Sequence, residues 1–599
     1  MKHLLALSGG FAALAFSLAL VQCGDKTSNI FDNPNPGADG GPVDDSGINF
    51  GDTGNLGEGG QCDLTCSSDL HTVLDCNNNV KTVCPDDQGC GAGGLCVPAC
   101  TSAQQNKSTI GCDYFSVDPD IISAGAGGCF AAYIANTWTG PVTLTADYNG
   151  KSLNIANMAR IPSGNGQSIS YQPLPGGQLP PGQVAILFLG YSGFVACPQG
   201  VTAGVTGMPS FVARTGRGHA FHITASRPVV AYDIFPYGGG QSAATSATLL
   251  LPTTSWDTNY IAVNAFRKST IVSDGDPSLD VVAQQDGTTF TISPTNAITA
   301  GNGVAGSGKG VPITYSLNKG EYVQFTQPLE LTGSVIQSNN PIGVWGGASC
   351  LNIDVGVAAC DSAHQQIPPV QALGFEYVGV RYRNRVPNME ESPPWRIVGA
   401  VDGTLLSWDP SPPQGAPMTL KKGTLAEFNS AGPFRVKSQD EQHPFYMSAH
   451  MTGGSTAQNR GDPEFVNVIP PQQYLKSYVF FTDPTYSETN LVVVRSKTAS
   501  GFQDVSLDCA GTLTGWKPVG AEGKYEYTRI DLVTGNFQKV GNCDNGRHEM
   551  KSNGPVGLTV WGWGSDATLG FQTTYVSYAY PAGASVKPVN TVVIQPTPN

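Results

Sequence analysis

Three features of this 599-residue sequence predict an all-β chain of about four tandem β-sandwich-like repeats preceded by a small disulfide-rich segment. The first is composition. There are 74 glycines and 43 prolines, charged residues make up only 13%, and the apolar runs are short and rich in Val, Ile, Thr, Tyr and Phe. That favours many short strands joined by turns over long amphipathic helices. The second is an internal repeat of roughly 110 residues. The third is the placement of the 15 cysteines, most of which crowd together ahead of the repeats.

In chain order, residues 1–22 read as an export signal: Lys2 opens it, an apolar stretch runs from Leu4 to Leu20, and Leu20-Val21-Gln22-Cys23 follows. That ending resembles the lipobox of bacterial lipoproteins, which implies a lipid on Cys23 and a mature chain beginning there. Acyl chains contribute about 0.8 kcal/mol per buried CH₂, so they would hold the protein on a membrane firmly. Gln22 stands where the pattern prefers a small residue, so plain secretion or an uncleaved signal anchor stays open. The expected location is the cell envelope, at the outer membrane or cell surface. Residues 23–61 carry Gly, Asp, Asn and Pro with only Phe31 and Phe50 as aromatics. So little apolar surface does not offset the entropy of ordering, and the segment reads as a disordered tether.

Residues 62–112 form a cysteine-rich module containing Cys62, Cys66, Cys76, Cys84, Cys90, Cys96, Cys100 and Cys112. Export favours disulfides. A segment this short lacks a core of its own, so each bridge is expected to contribute about 2–4 kcal/mol. Zinc is disfavoured because the spacings are not paired C-x₂-C and His71 is the one histidine there. Connectivity stays open.

The repeat is led by a proline entering an apolar strand, at Arg227-Pro228-Val229-Val230, Asn340-Pro341-Ile342-Gly343, His443-Pro444-Phe445-Tyr446 and Gly554-Pro555-Val556-Gly557. Each strand runs into glycines, and a second proline follows at Pro252, Pro368, Pro470 and Pro581. Aromatic-led strands then begin at Tyr260, Tyr377 and Tyr478. Hairpin signals are clearest at Asp286-Gly287-Thr288 and Asp402-Gly403-Thr404 and looser at 147–150 and 508–511, with further turns at Gly182, Gly320, Gly423 and Gly535. The units drawn are 113–252, 253–368, 369–470 and 471–585, with a C-terminal tail at 586–599. About seven strands in each is the size of a β-sandwich and too long for a propeller blade. Packing of the units into one larger assembly stays open. The remaining cysteines suit bridges within units: Cys129 with Cys197, Cys350 with Cys360, and Cys509 with Cys543.

A net charge of −14 repels phosphate backbones and sets nucleic acid aside as a partner. No catalytic constellation emerges, and no catalytic, cofactor-binding or metal-binding residue is assigned. His219 and His222 are three apart in a strand, which sends them to opposite faces. His443 and His450 begin and end a repeat strand. Gly190-Tyr191-Ser192-Gly193 is a loop-like string and not a nucleophile elbow. Asp274, Asp276 and Asp280 offer calcium several oxygens but lack EF-hand spacing, and read as an acidic turn. Arg460-Gly461-Asp462 matches an integrin-binding tripeptide by coincidence. Trp345, Trp561 and Trp563 are expected in the core, and Trp138 and Trp256, beside turns, at the surface.

The stretch Asp233-Ile234-Phe235-Pro236-Tyr237-Gly238-Gly239-Gly240, continuing through Pro252 and Trp256, resembles the IgGFc-binding protein N-terminal domain family. Gly111-Cys112-Asp113-Tyr114-Phe115 is similar to its bacterial, myxobacterial-type members. The resemblance spans roughly 110–585, marks Tyr237, Gly238, Gly239, Gly240, Pro252 and Trp256 as the family motif, and implies a binding or adhesive extracellular domain with no catalytic residues. The function expected is a non-enzymatic cell-surface lipoprotein that binds an extracellular protein or glycan. A self-associating envelope protein and a secreted hydrolase are the alternatives.

Overall fold

In a computed structural model, residues 64–597 are described apart from 77–78, 194, 239–243 and 566–573. Cys23, the tether, Cys62, Gly239 and Gly240 lie outside the described residues. Residues 1–49 and 50–599 separate into two units, and everything below concerns the second. It is mostly β, 47% strand against 6% helix, in several curled antiparallel sheets. Among the described residues, no helix is long and apolar enough to cross a membrane.

The repeat proline sits inside a long spine strand: Phe221–Phe235, Val335–Leu351 and Gly546–Trp563. Proline cannot donate to a ladder, so it is tolerated where pairing breaks. In the first spine, residues before Pro228 pair with Val142–Tyr148, whereas residues after it pair with Phe130–Asn136 and Ser246–Leu249. Pairing with Ile110–Ser116 slips in register between Thr224 and Val229. The spine therefore changes partners at the proline and bends the sheet around itself. In the third unit the spine is split into Phe434–Lys437 and Phe445–Met451, and the sheet divides into smaller ones.

The bend leaves the carbonyl after each proline in need of a donor, and the same tyrosine supplies it four times. Tyr114 donates to Val229 O at 2.7 Å, Tyr260 to Ile342 O at 2.8 Å, Tyr377 to Phe445 O at 2.6 Å, and Tyr478 to Val556 O. In the last three, the hydroxyl also accepts the amide three residues earlier, Asp257, Gly374 and Leu475, each at 3.1 Å. Tyr260→Phe is expected to lower stability by about 1–3 kcal/mol, because a buried carbonyl loses its donor. The shift in the urea midpoint measures this, and Tyr377→Phe should behave alike.

The strands ahead of the second prolines are Ser246–Leu249, Asp361–Ile367, Glu464–Asn467 and Ser577–Pro581. Each lies beside two of the others, so the four inner strands close a cycle and the units form one ring. The glycines after the repeat prolines permit this approach. A Cβ on Gly347 would stand 2.0 Å from Ala363 O of the adjoining inner strand. The unit boundary at 252 is also crossed: Gly216–His219 pairs with Glu321–Thr326 of the next sheet.

The ring closes where the fourth unit meets the first. Thr109 N donates to Ala584 O at 2.9 Å, and Tyr232 donates to Ala582 O at 2.6 Å. Beyond this seam the chain runs back as a strap. Val586 N donates to Lys107 O at 3.1 Å, Asn590 Nδ2 to Val370 O at 2.8 Å and Leu373 O at 2.9 Å, and Ile594 N to Asn259 Oδ1 at 2.8 Å.

The hairpin signals sort differently from their apparent strength. Asn149-Gly150 and the 508–511 turn do join paired strands. Gly287 and Gly403 take positive φ as turn residues, but the strands they link pair with other partners on either side. Within the ring the disulfides are Cys129–Cys197, Cys350–Cys360 and Cys509–Cys543. The cysteine-rich module holds Cys66–Cys90 and Cys84–Cys96, Cys76 is also disulfide-bonded, and Cys100–Cys112 ties its helix Ala99–Asn106 to the first sheet. Trp138 and Trp256 are buried, not exposed, at 2% and 6%. Trp138 Nε1 donates to Asp86 O of the cysteine module at 2.6 Å. Trp256 Nε1 donates to Leu251 O at 3.0 Å, and its ring packs edge-on against Trp345. A turn flanks each indole in sequence, but a neighbouring module or unit covers it.

Candidate functional site

The inner strands carry polar side chains where a buried strand usually carries apolar ones. Asp361 Oδ1 accepts Thr245 N at 3.0 Å and its Oδ2 accepts Ser577 N at 2.9 Å, so one carboxyl of the second unit links the first and fourth. Thr245 Oγ1 donates to Ser577 O at 2.6 Å, and Ser246 Oγ donates to Glu464 Oε1 at 3.3 Å. Asp462 Oδ1 accepts Gly454 N at 3.0 Å, and its own amide donates to Ser577 Oγ at 2.7 Å. Gln365 Nε2 reaches Ala247 O at 2.8 Å and Ala579 O at 3.0 Å. Beside this network, His364 Nε2 lies 2.6 Å from Asp233 Oδ1, whose other oxygen accepts Ser116 Oγ at 2.7 Å.

Asp361, Asp462 and Glu464 are fully buried. Burial is the main cause that raises all three carboxyls, and the charges of Asp462 and Glu464 push Asp361 further. Asp462 is pushed up to about 7. Farther out, burial lifts Asp118 to about 7 and Asp120 to about 6. These groups keep their protons in the folded chain to a higher pH than they would unfolded. Their contribution to stability is therefore complete below about pH 4 and is lost as pH rises through their folded values. Asp462→Asn is expected to gain stability relative to the native chain between about pH 4 and 8, in all on the order of 4 kcal/mol. Urea midpoints of the two proteins across that range test it.

Chemically, the line along which the four inner strands meet, the axis of the ring, is a proton-holding polar fastener. The cavity at its base is about 40 Å³, lined by Leu249, Gln366, Asn467 and Pro581 among others, one from each unit. That is room for little more than a water. Asp508, Cys509 and His548 are the one metal-type cluster among the described residues, but Cys509 is bonded to Cys543 and offers no thiolate.

The residues singled out from sequence do not come together as one site. Asp233 takes part in the polar network. Tyr237 is buried and shares a 2.8 Å hydrogen bond with Tyr171. Gly238 has φ 115°, a backbone conformation that favours glycine. Pro252 packs so close to Gly111 that a Cβ there would lie 2.3 Å from it. Asp462 of the Arg460-Gly461-Asp462 tripeptide is 0% exposed, so that string is not displayed. The Asp276 carboxylate is held by Arg214 at 2.9 Å and by Lys268, so the centre of the 274–280 loop already has its cations. His222 lies between Asp147 and Asp113 at 2.8 and 3.3 Å, His443 pairs with Asp440, and burial pushes His450 down to about 3. Trp345, Trp561 and Trp563 are core residues.

His364, Asp361 and Glu464 were not singled out from sequence. The signal that marks them is position: all stand in the short segment before the second proline, where the other units carry Thr and Ser, as at Thr245, Ser246, Thr248 and Ser577.

A family model described as IgGFc binding protein matches residues 246–562, from the first residue of the first inner strand almost to the end of the last spine. The human (Homo sapiens) IgGFc-binding protein is 23% identical over 268 residues, which is 43% of this chain and 4% of that protein. The chain thus spans a small fraction of its human relative. No solved structure matches it. Since the match takes in more than half of the 599 residues, the chain belongs to the IgGFc binding protein family.

Proposed function

We propose that this protein is a bacterial cell-surface lipoprotein, anchored through Cys23, whose β ring binds an extracellular protein or glycan and catalyses nothing. The observation that carries the reading is the family match over 246–562, which takes in three of the four inner strands and nearly all of the last spine. The human relative's name attributes IgG Fc binding to that protein, which makes Fc one probe among several here. Two features support a binding role. The titratable groups on the axis are buried and held by backbone amides and hydroxyls of the inner strands and the loops beside them, with His364 paired to Asp233, and the axial cavity is too small for a substrate. Recognition then falls to the outer loops and edges, which a scaffold closed on itself holds in place.

The test is affinity capture. The purified protein, immobilised, is offered Fc, matrix proteins, a glycan array and envelope extracts, and saturable retention of at least one is expected. Retention of nothing from any of them overturns the binding reading. Separately, the native chain should sediment with membranes and Cys23→Ala should not. Equal partition of both sinks the anchor while leaving the ligand question intact.

A further inference from the structure

Between the third and fourth units runs a belt of arginines, and most have acidic partners. Arg383 bonds Glu488 at 2.5 Å and Asp531 at 2.7 Å, Arg385 bonds Glu391 at 2.7 Å, and Arg495 bonds Glu526 at 2.6 Å. Two do not follow the pattern. Arg381 is 4% exposed, donates to Tyr382 O at 2.8 Å and Asn384 Oδ1 at 2.6 Å, and has a buried Nε without an acceptor. Arg529 reaches it from the neighbouring sheet, donating through Nε to Arg381 O at 2.8 Å, with its guanidinium 5.1 Å from the Tyr527 ring centre. Among the described residues, neither arginine is in an ion pair with a carboxylate.

Two guanidinium groups are thus gathered at one seam without a counter-charge, in a chain that carries 46 acidic residues against 32 basic ones. The buried carboxyls of the axis can lose their charge by keeping a proton. A guanidinium has no such escape, because it stays protonated at every physiological pH. A buried charge left without a partner is costly, and so is a like charge next to it. Burial, with the Arg381 charge beside it, accordingly lowers Arg529 from its ordinary value. Arg529 is partly exposed, which opens the pair to solvent from its side.

We propose that Arg381 and Arg529 form an oxyanion-binding site at the seam between the third and fourth units, taking the carboxylate, sulfate or phosphate group of an acidic ligand. Arg529 makes the direct charged contact, and Arg381 supplies the second positive charge behind it. The site stands independently of the ligand reading above, since a free anion suffices to fill it.

The full-length chain is titrated with sodium sulfate, inorganic phosphate and sodium glucuronate, each against sodium chloride at matched ionic strength, and its melting temperature is followed. A saturable rise with at least one anion is expected, and the anion with the lowest half-saturation identifies the chemistry preferred. Arg529→Gln should weaken that response at least about tenfold, the loss of one charge-assisted contact. Arg217→Gln, an exposed arginine elsewhere that donates to Gly303 O and Ser316 O, should leave it unchanged. No saturable response in the native chain, or an equal response in Arg529→Gln, overturns the site.

Discussion

Arg385→Ala is expected to destabilise the ring by about 3–5 kcal/mol. The Arg385 side chain is 0% exposed. It donates to Glu391 Oε2 at 2.7 Å, Arg460 O at 2.7 Å and Thr452 Oγ1 at 2.8 Å, so one guanidinium fastens three segments of the third unit. Removing it leaves the Glu391 carboxylate without its counter-charge; burial pushes that carboxyl up, but the charge and hydrogen bonds of Arg385, with the Tyr382 hydroxyl, together hold it below its ordinary range. Lysine restores the charge but not the fork that reaches three acceptors, so Arg385→Lys should recover only part of the loss. Urea unfolding followed by tryptophan fluorescence reads the effect. A loss under about 1 kcal/mol for the alanine variant would mean that the network relaxes around the gap.

The second large effect is expected at a disulfide. Cys129 and Cys197 are 68 residues apart, and the chain-entropy model assigns such a loop about 4 kcal/mol. Cys129→Ser combined with Cys197→Ser should lose that much, whereas Cys350→Ser with Cys360→Ser, only 10 apart, should lose about 3 kcal/mol. Paired urea titrations give the ranking, and a reversed order would show that folded-state packing and not loop length decides. Both bridges join cysteines that the spacing had grouped within single units.

The repeat was readable because each landmark has a local physical cause. A proline needs a break in the ladder, glycines are needed where an inner strand approaches, and an aromatic starts a strand. What spacing did not carry was the purpose of the tyrosine hydroxyl, because its acceptor stands 68 to 115 residues away. Turn chemistry misled in one respect. Asp286-Gly287 and Asp402-Gly403 do turn the chain, but a glycine fixes local backbone and not which strands then pair. Trp138 and Trp256 failed for a similar reason, since exposure depends on what packs later against a turn. The axial acids escaped notice because sequence shows residue type, not the meeting of four strands about one line. The function is legible to the level of the family and no further, because the closed axis offers no constellation from which a ligand can be read.

The seam between first and fourth units has a temporal side. Ala584 N donates to Thr109 Oγ1 across 475 positions, and Thr245 reaches Ser577 across 332. Contacts of such reach must wait until the intervening polypeptide has been synthesised, and they carry a large loop-closure cost until then. Early-made sheets therefore spend the period of synthesis with their inner edges unsealed. The seal between the first and fourth units is therefore expected to form last, once both ends of the ring have been made.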